Sequence, residues 1–242
     1  MSLKKYIPDF ITTLNLACGI TGVVFSFGPH PHWAFYCMLA AAVFDFCDGF
    51  AARLLKAYSP MGKELDSLCD VVSFGVLPSV MMYNNMKVFA WGAENFWAFL
   101  PLLLSIGVAL RLAKFNVDER QHESFLGLAS PVAALLCASL CYYVEFEPNS
   151  LLGALCANSF FLPSLSLLLC ILMLCEMPMF SFKFSKDQPK SLNLKRLMFV
   201  LDIAVIALGV LLLRTNWALI VFLACLLYII KNLFFLLPLR RK

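Results

Sequence analysis

The chain has 242 residues, of which 62% are hydrophobic and only 14% are charged. An ordinary soluble domain is about 45 to 50% apolar and about 25% charged, so this composition excludes a soluble protein and predicts an integral membrane protein. The net charge of +4 is small, and its basic residues form short clusters beside apolar runs, where lipid head groups attract them. We therefore expect membrane lipids as partners and no nucleic acid.

Eight apolar runs are about long enough to cross a hydrocarbon core roughly 30 Å thick. They lie at residues 9–27, 33–56, 63–84, 95–115, 130–145, 153–176, 196–213 and 216–235. The first run resembles a signal peptide, but it is long for the apolar part of one, and Pro29 makes a poor cleavage context. We expect that run to remain, and we predict an all-α integral membrane protein with about eight transmembrane helices.

Basic residues fall at alternate ends of these runs, as they do in proteins whose short cytoplasmic loops are positively charged. We predict a multi-pass protein of the inner or cytoplasmic membrane with both termini in the cytoplasm. The predicted units are a membrane domain over 1–180, a basic cytoplasmic linker over 181–195 and a C-terminal pair of transmembrane helices over 196–242. The ten cysteines mostly stand singly inside apolar runs without a C-x-x-C pair, so we interpret them as reduced core residues.

Four aspartates interrupt the second and third apolar runs, where each unpaired acid costs about 2.5 to 3.5 kcal/mol. Asp45 and Asp48 are three residues apart on one helix face, and Asp66 and Asp70 are four residues apart on the next. A short turn near Pro60 makes the two helices antiparallel, so we expect the acidic faces to meet. Such a cluster repels itself unless cations occupy it, and oxygen ligands favour Mg²⁺, Mn²⁺ or Ca²⁺ over zinc.

Small residues share these faces and leave room for a ligand to approach the backbone. They are Gly49, Ala52 and Gly62, and Arg53 follows one turn after Gly49. Acids, metal, small residues and one arginine together suit a bound diphosphate. The chemistry that we expect is metal-assisted displacement at phosphorus, with a spare carboxylate taking a proton from an attacking hydroxyl.

The spacing of these residues resembles the complete signature of the CDP-alcohol phosphotransferases. The matching positions are Asp45, Asp48, Gly49, Ala52, Arg53, Gly62, Asp66 and Asp70. The resemblance implies that the four aspartates hold Mg²⁺ or Mn²⁺, expected as a pair of ions, on the diphosphate of a CDP-linked donor. It also implies that Asp70 is the catalytic base, that CMP is the leaving group, and that the first six helices adopt the fold of this family.

The same resemblance assigns a nucleotide-binding face and an oligomeric state. The face comprises Asp48, Gly49, Ala52, Arg53 and Gly62, and relatives with this fold tend to be homodimers, so we expect a homodimer.

Flanking stretches resemble those of the membrane-embedded phosphatidylserine synthases of bacteria and archaea. These are IPDFITTLNLACG (7–19), DVVSFGVLPS (70–79), LRLAKFNV (110–117) and FLGLASPVAA (125–134). The departures are mild: Asp9 replaces a usual Asn, Lys114 stands where Arg is common, and Ala129 replaces a common Pro. The expected reaction transfers a phosphatidyl group from CDP-diacylglycerol to the hydroxyl of L-serine.

Serine is a zwitterion, so its site needs a cation for the carboxylate and acceptors for the ammonium. We assign Arg111, Asn116 and Ser130 to serine or to the donor's phosphate, and Thr12 and Asn15 to the border of the nucleotide. Each has a structural alternative: a positive-inside anchor for Arg111, helix capping for Asn116 and Ser130, and hydrogen bonds between helices for Thr12 and Asn15.

Two other functions stay open. The acceptor alcohol can differ, which would make the protein a phosphatidylglycerophosphate synthase or another CDP-alcohol phosphotransferase, and the donor can carry an archaeal ether lipid. A cation transporter or channel is the non-enzyme alternative, although its acids should be spread along a path and not bunched beside glycines.

Overall fold

The computed structural model describes residues 6–89, 96–117, 127–177 and 190–236, and it describes the side chains of these ranges except at 88–89, 190–199 and 234–236. Every element in these ranges is helical. In chain order they are α1 (Ile7–Phe27), α2 (His32–Leu55), α3 (Pro60–Asp70), a π-helical segment (Val71–Val76), α4 (Leu77–Phe89), a 3-10 segment (Phe96–Leu102), α5 (Leu103–Val117), α6 (Ser130–Phe146), α7 (Leu151–Cys156), α8 (Phe161–Leu174), α9 (Lys190–Leu212) and α10 (Ala218–Leu236).

Four of the described helical stretches are long and apolar enough to cross a membrane, judged by length and composition: Ile7–Phe27, His32–Leu55, Pro60–Lys87 and Phe96–Val117. Four more are shorter apolar helices: Ser130–Phe146, Phe161–Leu174, Val200–Leu212 and Ala218–Leu233. The prediction of an all-α, multi-pass membrane protein is confirmed. Each of the eight predicted runs corresponds to one of these helices, although eight membrane crossings stay a prediction because four of the helices are short.

The turn between α2 and α3 forms as its sequence suggests. Lys56 ends α2 in the left-handed conformation with a φ of 52°. Ser59 caps α3, because its hydroxyl accepts a hydrogen bond of 2.9 Å from the Gly62 amide, and Pro60 follows at a position where a helix needs no amide hydrogen. The short turn reverses the chain, and both α2 and α3 pack against α1.

The predicted sixth run, 153–176, is not one helix. Residues 157–160 separate α7 from α8, and the Asn158 side-chain oxygen accepts a hydrogen bond of 2.9 Å from the Phe160 amide, which stabilises a turn. Pro163 then lies in the first turn of α8, where its missing amide hydrogen costs nothing. Local turn chemistry overrides the continuous apolar composition of this stretch.

The core of the molecule surrounds α6, which is buried along almost its whole length. It packs against α2, α4 and α10.

Helix α10 also forms a salt bridge with α9 between Lys231 and Asp202. The C-terminal pair therefore packs on the rest of the bundle through α10, and α9 begins at Lys190, inside the predicted linker. Residues 181–189 of that linker lie outside the described residues, so the domain boundaries stay a prediction.

Candidate active site

Helices α2 and α3 bring three of the four aspartates together. One carboxylate oxygen each from Asp45, Asp48 and Asp66 lies within 4.8 Å of the others. The Oδ2 atom of Asp48 and the Oδ1 atom of Asp66 are buried and have no hydrogen-bond partner among the described residues. Unpartnered buried carboxylate oxygens are costly, so a cation that they could ligate would offset both their desolvation and their mutual repulsion.

The donor set fits a hard divalent cation. Three carboxylates offer only oxygen ligands, which suit Mg²⁺, Mn²⁺ or Ca²⁺ and not a thiolate-bound or imidazole-bound metal. The structure thus supports a metal site at Asp45, Asp48 and Asp66.

Asp70, which the family resemblance makes both a metal ligand and the catalytic base, is not part of this three-acid group. Its Oδ1 atom instead accepts a hydrogen bond of 3.1 Å from Nδ2 of Asn15 on α1. Asp70 is buried and remains within electrostatic range of Asp45, Asp66 and Asp48. Asp70 lies one turn beyond Asp66 on α3, at a position from which it reaches Asn15 of α1.

The backbone at Asp70 is held by close packing between α1 and the π-helical segment. The Ser73 hydroxyl lies within hydrogen-bonding distance of the carbonyls of Asn15, at 3.2 Å, and Cys69, at 3.1 Å. A Cβ atom on Gly19 would lie only 2.7 Å from the Ser73 Oγ and 3.0 Å from the Ser73 Cα. Apolar patterning did not reveal this role for Ser73 or Gly19, since both read as ordinary small residues of membrane helices.

A cleft of about 420 Å³ lies between the start of α1 and the α2–α3 turn. Six of the seven residues predicted to bind the nucleotide line it: Thr12, Asp48, Gly49, Ala52, Arg53 and Gly62. The seventh, Asn15, contacts Asp70 instead. Residues not singled out for this cleft also line it, notably Asp9, Tyr58, Ser59 and Lys63. Their positions in the sequence, at the start of α1 and around the α2–α3 turn beside the motif residues, could have predicted that they line the cleft.

The glycines of the cleft differ in the space around them. A Cβ atom on Gly49 would find no neighbour nearer than Nη2 of Arg53, at 4.0 Å, whereas one on Gly62 would lie 2.7 Å from Oδ1 of Asp9 and 2.9 Å from the Ser59 hydroxyl. Arg53 is exposed, and its Nε donates a hydrogen bond of 2.9 Å to the Gly49 carbonyl. This bond fixes the guanidinium beside the open surface at Gly49, where it can meet an anion.

Of the three residues predicted for the acceptor or phosphate, the structure joins two. Nη1 of Arg111 donates a hydrogen bond of 2.8 Å to the Ser130 hydroxyl, and both side chains are buried. Arg111 is also within electrostatic range of Asp70 and of Tyr228 on α10. Tyr228 lies outside the recognised motifs, so only the packing of α10 on α6 reveals it.

Asn116 lies apart from this pair. Its Nδ2 donates a hydrogen bond of 2.9 Å to the Ser67 hydroxyl, and its carbonyl accepts one of 3.2 Å from Nζ of Lys63. These contacts connect α5 to α3, so the structure gives Asn116 a role in holding the acidic helix. Lys114 forms an exposed salt bridge of 3.0 Å with Glu176.

Comparison with known proteins identifies the family to which this arrangement belongs. A family model described as CDP-alcohol phosphatidyltransferase matches residues 5–163. The chain belongs to this family. The match covers α1 to α7 and the start of α8, and it includes all four aspartates, so the family resemblance of the sequence motif is confirmed.

Members of the CDP-alcohol phosphatidyltransferase family with curated names are similar to the chain. The CDP-diacylglycerol–serine O-phosphatidyltransferase of Mycobacterium tuberculosis is 38% identical over 138 residues, 54% of this chain and 47% of that protein. The protein of the same name from Bacillus subtilis is 34% identical over 160 residues, 66% of this chain and 88% of that protein. The archaetidylserine synthase of Methanothermobacter thermautotrophicus is 36% identical over 135 residues, 55% of this chain and 56% of that protein. The chain spans about half the length of the mycobacterial relatives that it matches.

Proposed function

We propose that this family member transfers a phosphatidyl group from CDP-diacylglycerol to the hydroxyl of L-serine, giving phosphatidylserine and CMP. The observation that carries the proposal is the position of Asp70. It lies beside the three-acid group and the nucleotide cleft, it is fixed by Asn15, and it is within electrostatic range of the buried Arg111. A base, the guanidinium of Arg111 that can bind an anion, and a cleft for the donor thus lie near one another.

The donor's CDP group occupies the α2–α3 cleft in this proposal. Asp45, Asp48 and Asp66 would hold one or two Mg²⁺ or Mn²⁺ ions, and the family resemblance adds Asp70 as a further ligand. Such ions supply charge neutralisation for the diphosphate and its leaving group. Arg53 meets a diphosphate oxygen, and the space at Gly49 lets the nucleotide approach the backbone. The acyl chains extend between helices into the lipid.

The acceptor side of the reaction uses the residues deeper in the bundle. Arg111, oriented by Ser130, binds the serine carboxylate or the donor's phosphate. Asp70 accepts the proton of the serine hydroxyl as the hydroxyl oxygen forms a bond to phosphorus and the bond from phosphorus to the CMP oxygen breaks. Asn15 orients the Asp70 carboxylate for this transfer, and Tyr228 adds a polar group near Arg111.

Both termini and the acidic cluster face the cytoplasm in this proposal, and the protein forms a homodimer. The orientation rests on the distribution of basic loop residues, and the dimer rests on the resemblance to the family. Light scattering of the detergent-solubilised protein should give a protein mass of about twice 27.1 kDa.

The acceptor is tested by CMP release from CDP-diacylglycerol in the presence of Mn²⁺ or Mg²⁺. L-serine should support release, whereas glycerol 3-phosphate, inositol and choline should not. Release with glycerol 3-phosphate but not serine would favour a phosphatidylglycerophosphate synthase. A donor series with ether-linked and ester-linked lipid tails distinguishes a phosphatidylserine synthase from an archaetidylserine synthase.

A further inference from the structure

A second cavity lies at the opposite end of the helices from the acidic cluster. Its volume is about 630 Å³, and it lies where the end of α1, the start of α2, the end of α4 and the end of α6 meet. The active-site cleft includes Thr12 near the start of α1, whereas this cavity includes Ser26 near the end of the same helix. At 1.5 Å per residue the two sites are about 20 Å apart along α1.

Asn85 gives this cavity a buried polar group without a partner. The residue lines the cavity and is only 7% exposed, and its Oδ1 atom makes no hydrogen bond within the part of the chain that the structure describes. The neighbouring Asn84 is occupied, since its Nδ2 donates to the carbonyl and the hydroxyl of Ser26 at 2.7 and 2.9 Å. A buried amide oxygen left unpaired is costly, so the cavity favours an occupant with hydrogen-bond donors.

Two charged residues on the cavity wall define that occupant further. Glu145 contacts His32 through Oε1 at 3.3 Å, and its carboxylate can also accept hydrogen bonds from a cation in the cavity. Lys87 is exposed, lies over the Tyr83 ring at 5.0 Å and can meet an anion. A molecule with both an ammonium and a phosphate complements this pair of charges.

The surroundings of the cavity suit a lipid. Phe27, Pro31 and Met81 contribute apolar walls, and Phe27 is 62% exposed. Trp33 and Phe146 are each about half exposed at this end of the bundle, as aromatic residues are at a membrane interface. An acyl chain can therefore leave the cavity along apolar surface while the head group stays among polar residues.

We propose that this cavity binds the head group of a phospholipid that carries a primary ammonium and a phosphodiester. The ammonium donates hydrogen bonds to Asn85 Oδ1 and to the Glu145 carboxylate, and the phosphate lies near Lys87. A head group of the choline type lacks N–H donors and satisfies neither acceptor by hydrogen bonding. The site is separate from the proposed transfer reaction and does not depend on it.

Native mass spectrometry of the purified protein in detergent tests the proposal with defined lipids. Dioleoyl-phosphatidylethanolamine should remain bound at concentrations at least about tenfold lower than dioleoyl-phosphatidylcholine or dioleoyl-phosphatidylglycerol, because the choline head group has no N–H donor and the glycerol head group has no ammonium to pair with Glu145. Glu145→Gln and Asn85→Leu should each remove this preference. Glu147→Gln and Asn149→Leu change exposed residues outside the cavity and should keep it.

Equal retention of the ethanolamine and choline lipids by the unaltered protein would overturn the proposal. So would an unchanged preference in Glu145→Gln, a variant that keeps the side-chain volume and is therefore informative even if Asn85→Leu fails to fold. Competition by free phosphoethanolamine without selective retention of the lipid would overturn the lipid as the occupant. Size-exclusion profiles and helical circular dichroism confirm that each variant tested is folded.

Discussion

At the scale of single residues, Asp70 has surroundings unlike those of the other three aspartates. Asp45, Asp48 and Asp66 form the group that can hold a cation, whereas Asp70 is bonded to Asn15 and lies within electrostatic range of Arg111. A carboxylate with one oxygen fixed by an amide has its other oxygen available for a proton. This difference supports a division of labour between metal binding and base catalysis.

Asp70→Asn should abolish turnover without unfolding the protein. The new carboxamide oxygen can still accept the hydrogen bond from Asn15, but the group cannot take up a proton, so CMP release should fall by about 100-fold or more. Glu64→Gln, which changes an exposed acid on the same helix, serves as the matched control and should keep full activity. Activity of Asp70→Asn within a few-fold of the control would remove Asp70 from the role of base.

Metal removal should abolish CDP binding at the cleft. The cleft and the three-acid group share Asp48 and Asp66, so without a cation the diphosphate would meet uncompensated carboxylates. Calorimetry should detect CDP binding with Mg²⁺ or Mn²⁺ and none after chelation, and Asp66→Asn should weaken it at least about tenfold. Metal binding without any CDP binding would favour a cation transporter or channel.

At the scale of helices, the contact between α1 and the π-helical segment holds the site together. Ser73 approaches the Asn15 carbonyl, Gly19 allows the close approach, and the Asn15 side chain reaches Asp70. A π-helical turn changes the direction of the side chains that follow it, and such turns are frequent at functional sites. The position of Asp70 thus depends on small residues that have no chemical role of their own.

Gly19→Ala should destabilise the protein, because its Cβ would approach the Ser73 backbone as closely as 3.0 Å. We expect a loss of about 1–3 kcal/mol in the free energy of unfolding, as for overpacking in a core. Gly209→Ala on α9 is the matched control, since a Cβ there has no neighbour within 4 Å, and it should leave stability unchanged or raise it by up to about 1 kcal/mol. Denaturant-induced unfolding in one detergent compares the two, and equal stability of both variants would contradict this view of the helix contact.

Much of the helical architecture could be predicted from apolar run length, because a hydrocarbon core demands long runs. The same signal missed the break between α7 and α8, since Asn158 and Pro163 act through local hydrogen bonding and not through hydropathy. It also missed the π-helical segment, whose residues are as apolar as those of an α-helix.

The meeting of Asp45, Asp48 and Asp66 followed from residue spacing and a short turn, which are both local properties. The hydrogen bond between Asn15 and Asp70 could not be predicted from these local properties, because it depends on how α1 packs against α3. The pairing of Arg111 with Ser130 and the nearness of Tyr228 likewise arise from packing between distant parts of the chain. Tertiary contacts of this kind leave no periodicity in the sequence.

At the scale of the whole molecule, the two cavities lie at opposite ends of the helix bundle. The acidic cleft is at the end where α1 begins and α2 meets α3, and the cavity at Asn85 is at the end where α1 meets α2. In the orientation that we propose, the first faces the cytoplasm, where serine and CDP are soluble, and the second faces the other leaflet. In that orientation, the transfer reaction and the binding of the ethanolamine-type head group would take place at opposite faces of the membrane.

A green fluorescent protein fused after Lys242 should fluoresce in bacterial cells, because it matures in the cytoplasm, and a periplasmic alkaline phosphatase fused at the same place should be inactive. The basic residues at alternate helix ends predict this result. An active phosphatase fusion would place the C-terminus on the other side and contradict the predicted topology of eight crossings with both termini in the cytoplasm.

Phosphatidyl transfer to serine can be measured by following radiolabelled serine into lipid. Purified protein is incubated with CDP-diacylglycerol, Mn²⁺ and radiolabelled L-serine, and both the chloroform-soluble label and CMP are quantified. Labelled phosphatidylserine and CMP should form in equal amounts, and both products should be lost in Asp70→Asn and retained in Glu64→Gln. CMP release without labelled lipid, or labelled lipid formed at an unchanged rate by Asp70→Asn, would contradict the proposed transfer reaction.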